Sequence, residues 1–514
     1  MYLKFTCDPD LPKLAWLAIL EKNISAIRVV HGAWVETGDD FFFEGAWSSE
    51  FGKRGFDSDI FLAGSGAKLK GDTIVFCPPS HTLARINMAR RNNLLYISNS
   101  FAFCLSASGG GLKKNYPLYF RDFQSIIRGL NRYTRRIRLD TGHIDLFYVD
   151  NIAIHNNLDL NPSARRSPPA FSTYSEYYTL LSETLKNLKN NALSNDRNIR
   201  YNDVISTISS GYDSTACAAL AKQIGCKDAI TFVTARDNKS IDSGYDSAHC
   251  LGFSVIEADR LEYKKMTTCP EAEFIATGTA SDGGDLIFAP FEEVLRQKIF
   301  VTGFTGDNVW SMRKLPDRFM SRGDASGSML EEFRIRVGFV HLPIPFIGAM
   351  RHPELREISL SKEMRPWALN QGYDRPIARR IAEEAGIPRG HFGQSKKAVG
   401  ARMFDHHDND CTDMKPFMCP VSYQDYKEYY ENTYKSNFRE KYNNFVRLPF
   451  MAARRFLAAC NRRVLHRVGI ELSQFGIWKA YVHKLGRNWI MFHWSVEKIV
   501  RRYQTTATKQ LISG

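Results

Sequence analysis

The chain has 514 residues, of which 44% are hydrophobic and 24% are charged, so it is long enough for several domains and is not disordered. No apolar stretch reaches the roughly 18 residues of a membrane-spanning helix, which argues against an integral membrane protein. The ten cysteines form no CxxC pair, and the first residues lack the basic and apolar parts of a secretion signal. We therefore predict reduced thiols and a cytoplasmic location. The net charge of +14 is uneven, because residues 421–514 contain 17 Lys and Arg against 6 Asp and Glu.

Residues 1–125 contain short apolar or aromatic runs, among them DDFFFEGAW, DIFLAGSG, DTIVFCPP and NNLLYISNSFAF. Gly, Asp, Asn or Pro bounds each run, which is typical of β-strands joined by turns. We therefore predict a β-rich N-terminal domain over residues 1–125. Residues 126–165 contain more strand-like pieces and end in a polar stretch, and we interpret them as a connecting segment.

From residue 166 the pattern changes to apolar runs that alternate with helical segments. The runs DVISTI, DAITFV, FSVIEAD and KIFVTG are separated by segments such as PFEEVLRQ. Strands that alternate with helices predict an α/β domain with a doubly wound, mostly parallel sheet, here over residues 166–420. Residues 421–514 are helical in pattern, aromatic and basic, and we interpret them as a C-terminal extension.

A turn rich in hydroxyl groups follows the first strand of this sheet, in the sequence DVISTISSGYDST. Ligands of doubly wound sheets bind at the carboxyl ends of the strands, and a helix N-terminus attracts phosphate oxygens. Asp213 would repel a bare phosphate, which indicates a bridging Mg²⁺; the alternative is an ordinary capped helix start without a ligand. The candidate phosphate-binding residues are Thr207, Ser209, Ser210, Gly211, Asp213 and Ser214, together with Thr234 after the next strand.

Two later segments have a similar character. KIFVTGFTGDNVW, residues 298–310, is another strand that runs into a glycine-rich turn, with Thr302, Gly303 and Asp307 as candidate residues; the alternative is a surface turn. In residues 373–399, Asp374 is a plausible N-cap and Pro376 a first-turn residue of a helix that ends at Gly386. The loop after this helix contains Lys396 and Lys397, which are either catalytic cations or part of a solvated basic loop.

In this order, the three segments resemble the asparagine synthetase-like members of the ATP pyrophosphatase superfamily, over roughly residues 170–400. The first turn is similar to the pyrophosphate loop S-G-G-x-D-S of that superfamily, with Ser210 in place of the second glycine. The resemblance implies ATP and Mg²⁺ as cofactors, an acyl-adenylate intermediate, and release of AMP and pyrophosphate when the amide forms. It also implies Asp213 and Asp307 as magnesium ligands and Lys396 or Lys397 as the cation near the α-phosphate.

The N-terminal region is similar in length and strand density to the Ntn-type glutaminase domain of that family, but it departs at the nucleophile. Tyr2 stands where those enzymes have a cysteine, and the nearest cysteine, Cys7, has no free α-amine. Phe304 stands where the family has a glutamate associated with ammonia transfer, so another base would be needed. The resemblance therefore implies an amide-forming ligase without its own glutaminase, as in lasso-peptide cyclases and β-lactam synthetases. The carboxylate would belong to a small molecule, a peptide or a glycan, and the donor would be an amine or ammonia.

Two other functions remain open at this stage. An RNA-modifying ATP pyrophosphatase would suit the basic C-terminal extension, and a non-catalytic ATP-binding scaffold would suit the departures from the family pattern. Residues 448–470 have the spacing of a basic amphipathic helix, which predicts peripheral contact with an anionic membrane surface, binding of an acidic polymer, or packing on the domain. DHHDNDC, residues 405–411, is either a solvated loop or a zinc site, and we regard the Arg322-Gly323-Asp324 tripeptide as a coincidence.

Overall fold

The computed structural model describes residues 1–114, 116–279, 284–369, 372–401, 417–433, 488–506 and 508. It shows an α/β protein with largely antiparallel sheets in the N-terminal part and a five-stranded, all-parallel sheet with helices in the later part. The prediction of a β-rich N-terminal region followed by an α/β region with a parallel sheet is confirmed at this level. The predictions for residues 405–411 and 448–470 lie outside the described residues.

Two sheets are built from the first thirteen strands. Those strands are Tyr2–Cys7 (β1), Trp16–Glu21 (β2), Ala26–His31 (β3), Glu36–Thr37 (β4), Phe41–Trp47 (β5), Leu62–Lys70 (β6), Thr73–Cys77 (β7), Ile86–Arg91 (β8), Leu94–Ser98 (β9), Arg136–Arg138 (β10), His143–Phe147 (β11), Asn151–His155 (β12) and Leu160–Ser163 (β13). The first sheet has the order β1-β3-β2-β9-β8-β11-β10, and the second has the order β13-β12-β7-β6-β5-β4. All pairs are antiparallel except β1 with β3.

The two sheets share a hydrophobic core between their faces. Trp16 of the first sheet lies with its ring 5.1 Å from that of Phe42 and 6.1 Å from that of Phe76, both in the second sheet. The Trp16 indole N–H donates to Ser65 Oγ at 3.2 Å, so its polar atom is satisfied inside this core. Because side chains alternate between the two faces of a strand, one face of each sheet contributes to this core and the opposite face is free to pack against helices.

The third sheet consists of Asp203–Thr207 (β14), Asp228–Phe232 (β15), Ser254–Ala258 (β16), Lys298–Thr302 (β17) and Val340–Pro343 (β18). Its order is β16-β15-β14-β17-β18, and every pair is parallel. Successive strands are added to one side of β14 and then, from β17, to its other side. The chain therefore changes direction between β14 and β17, and crevices at such points are where ligands of open α/β sheets bind.

The described helices surround these sheets. They are Phe101–Ser108 (α1), Tyr119–Gln124 (α2), Tyr174–Ala192 (α3), Tyr212–Gln223 (α4), Tyr245–Leu251 (α5), Pro270–Ile275 (α6), Glu292–Leu295 (α7), Gly306–Val309 (α8), Leu330–Val337 (α9), His352–Leu360 (α10), Pro376–Glu384 (α11), Pro420–Thr433 (α12) and Asn488–Val500 (α13). The run NNLLYISNSFAF is not a single strand, because the Ser100 hydroxyl accepts the Phe103 N–H and begins α1 after β9 ends. None of the helices that the structure describes is long and apolar enough to cross a bilayer.

The β-rich part and the parallel-sheet part are held together by buried ion pairs. Arg334 of α9 forms a two-point contact with Glu44 of β5, at 2.6 and 2.8 Å. Arg85 lies 3.3 Å from Glu331 of the same helix, and both side chains are almost fully buried. Breaking such a pair from one side costs about 3–5 kcal/mol, so α9 fixes the position of the parallel sheet relative to the β-rich part.

Candidate nucleotide site

A cavity of about 410 Å³ lies at the carboxyl ends of β14 and β17. The loops that follow the two strands form its walls, and the loop after α11 closes one side. Most of the residues that the sequence singled out line it: Thr207, Ser209, Gly211, Asp213, Ser214, Thr302, Gly303, Asp307, Lys396 and Lys397. Segments almost 200 residues apart in the chain are thus brought to one site.

The first turn leaves the N-terminus of α4 open. The N-cap residue is Gly211, and no side chain caps the helix, so the alternative of a side-chain-capped helix start does not describe this turn. The Ser209 hydroxyl lies 2.7 Å from that of Ser214 and accepts the Gly211 N–H at 3.1 Å, which shapes the turn. The first N–H groups of α4 therefore remain available for an anion.

The turns after β14 and β17 approach so closely that only glycine fits. A Cβ atom on Gly303 would lie 2.6 Å from the Asp213 carbonyl carbon, and one on Gly306 would lie 2.6 Å from the Asp213 side chain. Both separations are too short for a real Cβ, so a larger residue at either position would push the turns apart. The two glycines thereby place Asp213 and Asp307 at the same site.

Arg375, which the sequence did not single out, pairs with Asp213. Burial raises the pKa of the Asp213 carboxyl to about 6 although Arg375 lowers it, and the nearby Asp307 adds to the increase. Arg375 is also the N-cap residue of α11, and no side chain caps this helix, so the prediction of Asp374 as the N-cap is wrong. Asp374 instead accepts the Leu369 N–H at 2.7 Å. The only signal for Arg375 in the sequence was its position beside the helix start.

The carboxylates present fit a Mg²⁺ ion. Asp213 Oδ1 is buried and has no hydrogen-bond partner, so one oxygen is available for a ligand. Asp307 Oδ2 is 3.4 Å from Lys396 Nζ. Mg²⁺ is commonly held by one or two carboxylates, with phosphate oxygens and waters completing its shell. Within the described ranges, no cluster of three or more His, Cys, Asp or Glu side chains forms an all-protein metal site.

The structure distinguishes the two lysines. Lys397 Nζ donates to the Ile241 carbonyl at 2.5 Å and to Ser210 Oγ at 3.2 Å, so it holds two loops together. Lys396 has 64% of its side chain exposed, and Asp307 is the carboxylate that it contacts. Lys396 is therefore the one with freedom to reach a ligand in the cavity.

Two predicted positions are not brought into the cavity lining. The Ser210 hydroxyl donates to Asp242 Oδ1 at 2.6 Å, and its N–H donates to the Asp242 carbonyl at 3.1 Å. A glycine at this position would lack the first of these bonds, which explains a serine here. Thr234 is half-buried and forms a β-bridge with Ile241, so it supports the neighbouring loop.

The structure also shows the surroundings of Phe304 and Tyr2, the two residues that differ from the enzymes that the sequence resembles, and of Asp324. Phe304 lines the cavity, and its ring lies 5.8 Å from His341 and 6.4 Å from Phe288. Asp324, dismissed at the sequence level, also lines the cavity and is its exposed carboxylate. Tyr2 is 51% exposed in β1, which lies at the end of its sheet.

No protein-family model matches the chain, and a search of curated proteins finds no similar sequence.

Proposed function

We propose that the protein is an asparagine synthetase-like ligase that uses ATP to activate a carboxylate as an acyl-adenylate and releases AMP and pyrophosphate when an amide forms. The observation that carries the proposal is the convergence of Asp213, Asp307, Lys396 and the open N-terminus of α4 on one cavity at the switch point of a parallel sheet. In this proposal the parallel sheet is an ATP-pyrophosphatase domain, and the N-terminal sheets are a glutaminase-like scaffold of the Ntn type.

The residues of the chain have distinct roles in this reaction. The N–H groups at the start of α4, with the Ser209 and Ser214 hydroxyls, bind phosphate oxygens. Asp213 and Asp307 hold Mg²⁺, which when bound neutralises charge on the pyrophosphate. Lys396 stabilises the negative charge that develops at the α-phosphate. These groups act mainly through position and charge, as expected for phosphoryl-group chemistry.

The bond changes take place in two steps. A carboxylate oxygen of the substrate attacks the α-phosphorus, and the bond from that phosphorus to the bridging oxygen of pyrophosphate breaks. The amine nitrogen then attacks the carbonyl carbon, and AMP leaves with the electron pair of the C–O bond. The amine must lose a proton as the amide forms, and Asp324 is a candidate acceptor because Phe304 has no acid group.

The proposal is tested by incubating the full-length protein with ATP, Mg²⁺, ammonium and pools of carboxylic acids, and by following AMP and pyrophosphate together. We expect both products with one pool and neither with the Asp307→Asn variant. The Asp246→Asn variant, which changes an exposed carboxylate on α5, is the matched control and should retain activity. ADP and phosphate as products would contradict the proposal.

The same assay separates the alternatives. AMP release that requires added RNA would support the RNA-modifying enzyme, and tight ATP binding without either product would support the scaffold. The predicted contact of the basic C-terminal extension with a membrane surface or an acidic polymer is independent of this result.

A further inference from the structure

A second cavity, of about 640 Å³, lies beside the nucleotide cavity. The short helix α8 is a common wall, since Asp307 lines the first cavity while Asn308 and Val309 line the second. The two cavities are therefore neighbours on either side of α8, and Thr305, directly before this helix, contributes to both.

The lining of this cavity is strongly basic. Its charged residues comprise the single acid Asp317 and five cations, which are Arg128, Arg132, Arg313, Lys314 and Arg322. Among the residues that the structure describes, no carboxylate forms an ion pair with Arg128, Arg132, Arg313 or Lys314. Like charges gathered in a cleft raise the local concentration of an oppositely charged ligand, so the cavity favours an anion.

The one acid of the lining, Asp317, is held by backbone N–H groups of its own loop. Asp317 Oδ1 accepts the Phe319 N–H at 3.0 Å, and Oδ2 accepts the Ser321 N–H at 2.6 Å. Both of its oxygens are thus used to shape the loop between the cavities. A free ammonium group in this cavity would face five cations and a single carboxylate that already accepts two backbone hydrogen bonds, so the lining disfavours it.

Two polar atoms of the lining lack partners although they are buried. Arg322 is 7% exposed, and two of its nitrogens are bonded, one to the Ser328 hydroxyl at 3.0 Å, while Nε has no acceptor. Asn308 is also 7% exposed, and its Oδ1 has no donor. Buried groups of this kind cost free energy unless a ligand or water satisfies them. They mark positions for an anionic oxygen and for a hydroxyl or similar donor.

The N-terminal part of the chain contributes to this cavity in a fixed geometry. The Leu130 N–H donates to the Phe319 carbonyl at 2.8 Å, and the Arg322 N–H donates to the Ile127 carbonyl at 2.7 Å. The turn that carries Arg128 and Arg132 is therefore bonded to the loop that carries the other cations. The basic lining is thus built by two separate parts of the chain.

We propose that the second cavity binds the acid substrate of the ligase through at least one further anionic group, and that this substrate is a polyanionic small molecule without a free ammonium group. The inference rests on the proposed function, because the reactive carboxylate must reach the neighbouring nucleotide. It excludes free aspartate and other α-amino acids as the acid that is activated. The second anionic group is a carboxylate or a phosphate, since both accept from arginine.

The test measures binding to the full-length protein in the absence of ATP, by titration calorimetry at low salt. The probes are citrate, 3-phosphoglycerate and aspartate. We expect citrate or 3-phosphoglycerate to bind, and the tighter of the two identifies the second anionic group. The Arg313→Gln and Arg132→Gln variants should each weaken this binding about tenfold, as expected for loss of a charge-assisted hydrogen bond.

The matched control is Arg200→Gln, an exposed arginine before the N-terminal end of β14 and thus at the opposite end of the sheet. It should leave the affinity unchanged. Equal weakening by Arg200→Gln, equally tight binding of aspartate, or no binding of either polyanion would overturn the inference. Release of AMP with aspartate would remove this inference but keep the ligase, whereas polyanion binding without AMP from any acid would refute the ligase and leave only an anion-binding cavity.

Discussion

The substitution Asp213→Asn removes a buried negative charge with almost no change in side-chain shape. Burial raises the pKa of this carboxyl from 3.8 to about 6, against the opposing effect of Arg375. Because each pKa unit corresponds to about 1.4 kcal/mol, ionised Asp213 destabilises the metal-free protein by about 3 kcal/mol well above pH 6. We therefore expect the variant to be more stable than the wild type at pH 8.

The pH dependence follows from the direction of the pKa change. The carboxyl binds its proton more tightly in the folded state, so the stabilisation from that proton is complete below pH 3.8 and is lost as the pH rises through about 6. The variant has no such proton. Its advantage over the wild type should be close to zero near pH 4 and should grow to about 3 kcal/mol at pH 8.

The assay is thermal unfolding of both proteins in EDTA at pH 5 and pH 8, with Asp246→Asn as the control, for which a change within about 0.5 kcal/mol is expected. With ATP and Mg²⁺ present, Asp213→Asn should release pyrophosphate at least about 100-fold more slowly, since it lacks a metal ligand. A lower unfolding midpoint than the wild type at pH 8 would refute the reasoning. It would mean that the ion pair with Arg375 outweighs the burial of the charge.

Lys396→Met should lower kcat for AMP release about 100-fold or more, whereas Lys397→Met should reduce thermal stability and change kcat less; equal losses of kcat would contradict this division. Asp324→Asn should slow amide formation and leave substrate-dependent pyrophosphate exchange intact, which isotope exchange measures. Burial lowers the pKa of His341 to about 3, with a smaller effect from Arg334. The folded protein therefore binds this proton less tightly than the unfolded chain, and it loses stability as the pH falls below 6.5. Relative to His341→Gln, the wild type should lose about 2 kcal/mol between pH 7 and pH 5 in thermal unfolding.

The sequence predicted the parts of the site that depend on local pattern. A strand that ends in hydroxyl residues and glycine, followed by a helix, is visible without the fold, and the structure places both such turns, with Asp213 and Asp307, at one cavity. The role of Lys397 was not visible, because it depends on the Ile241 carbonyl, a partner 156 residues away. Arg375 was missed for the same reason, since its partner Asp213 lies 162 residues away.

The basic cavity was also beyond the sequence. Its cations lie in two separate basic stretches, one on each side of the predicted domain boundary at residue 165, and nothing in the sequence shows that the two stretches meet. Hydrogen bonds between the 127–130 turn and the 319–322 loop bring them together. The large positive charge that the sequence does show lies in residues 421–514, so the net charge of the chain gave no indication of this cavity.

These contacts give the N-terminal part a role that does not require a glutaminase nucleophile. Its strand β5 supplies Glu44, which holds α9 through Arg334, and the turn after α2 supplies Arg128 and Arg132 to the second cavity. Loss of the whole region would leave Arg334 buried without its partner and would open the basic cavity. The physical role of the β-rich sheets is therefore to support the parallel sheet and to complete the lining of the basic cavity.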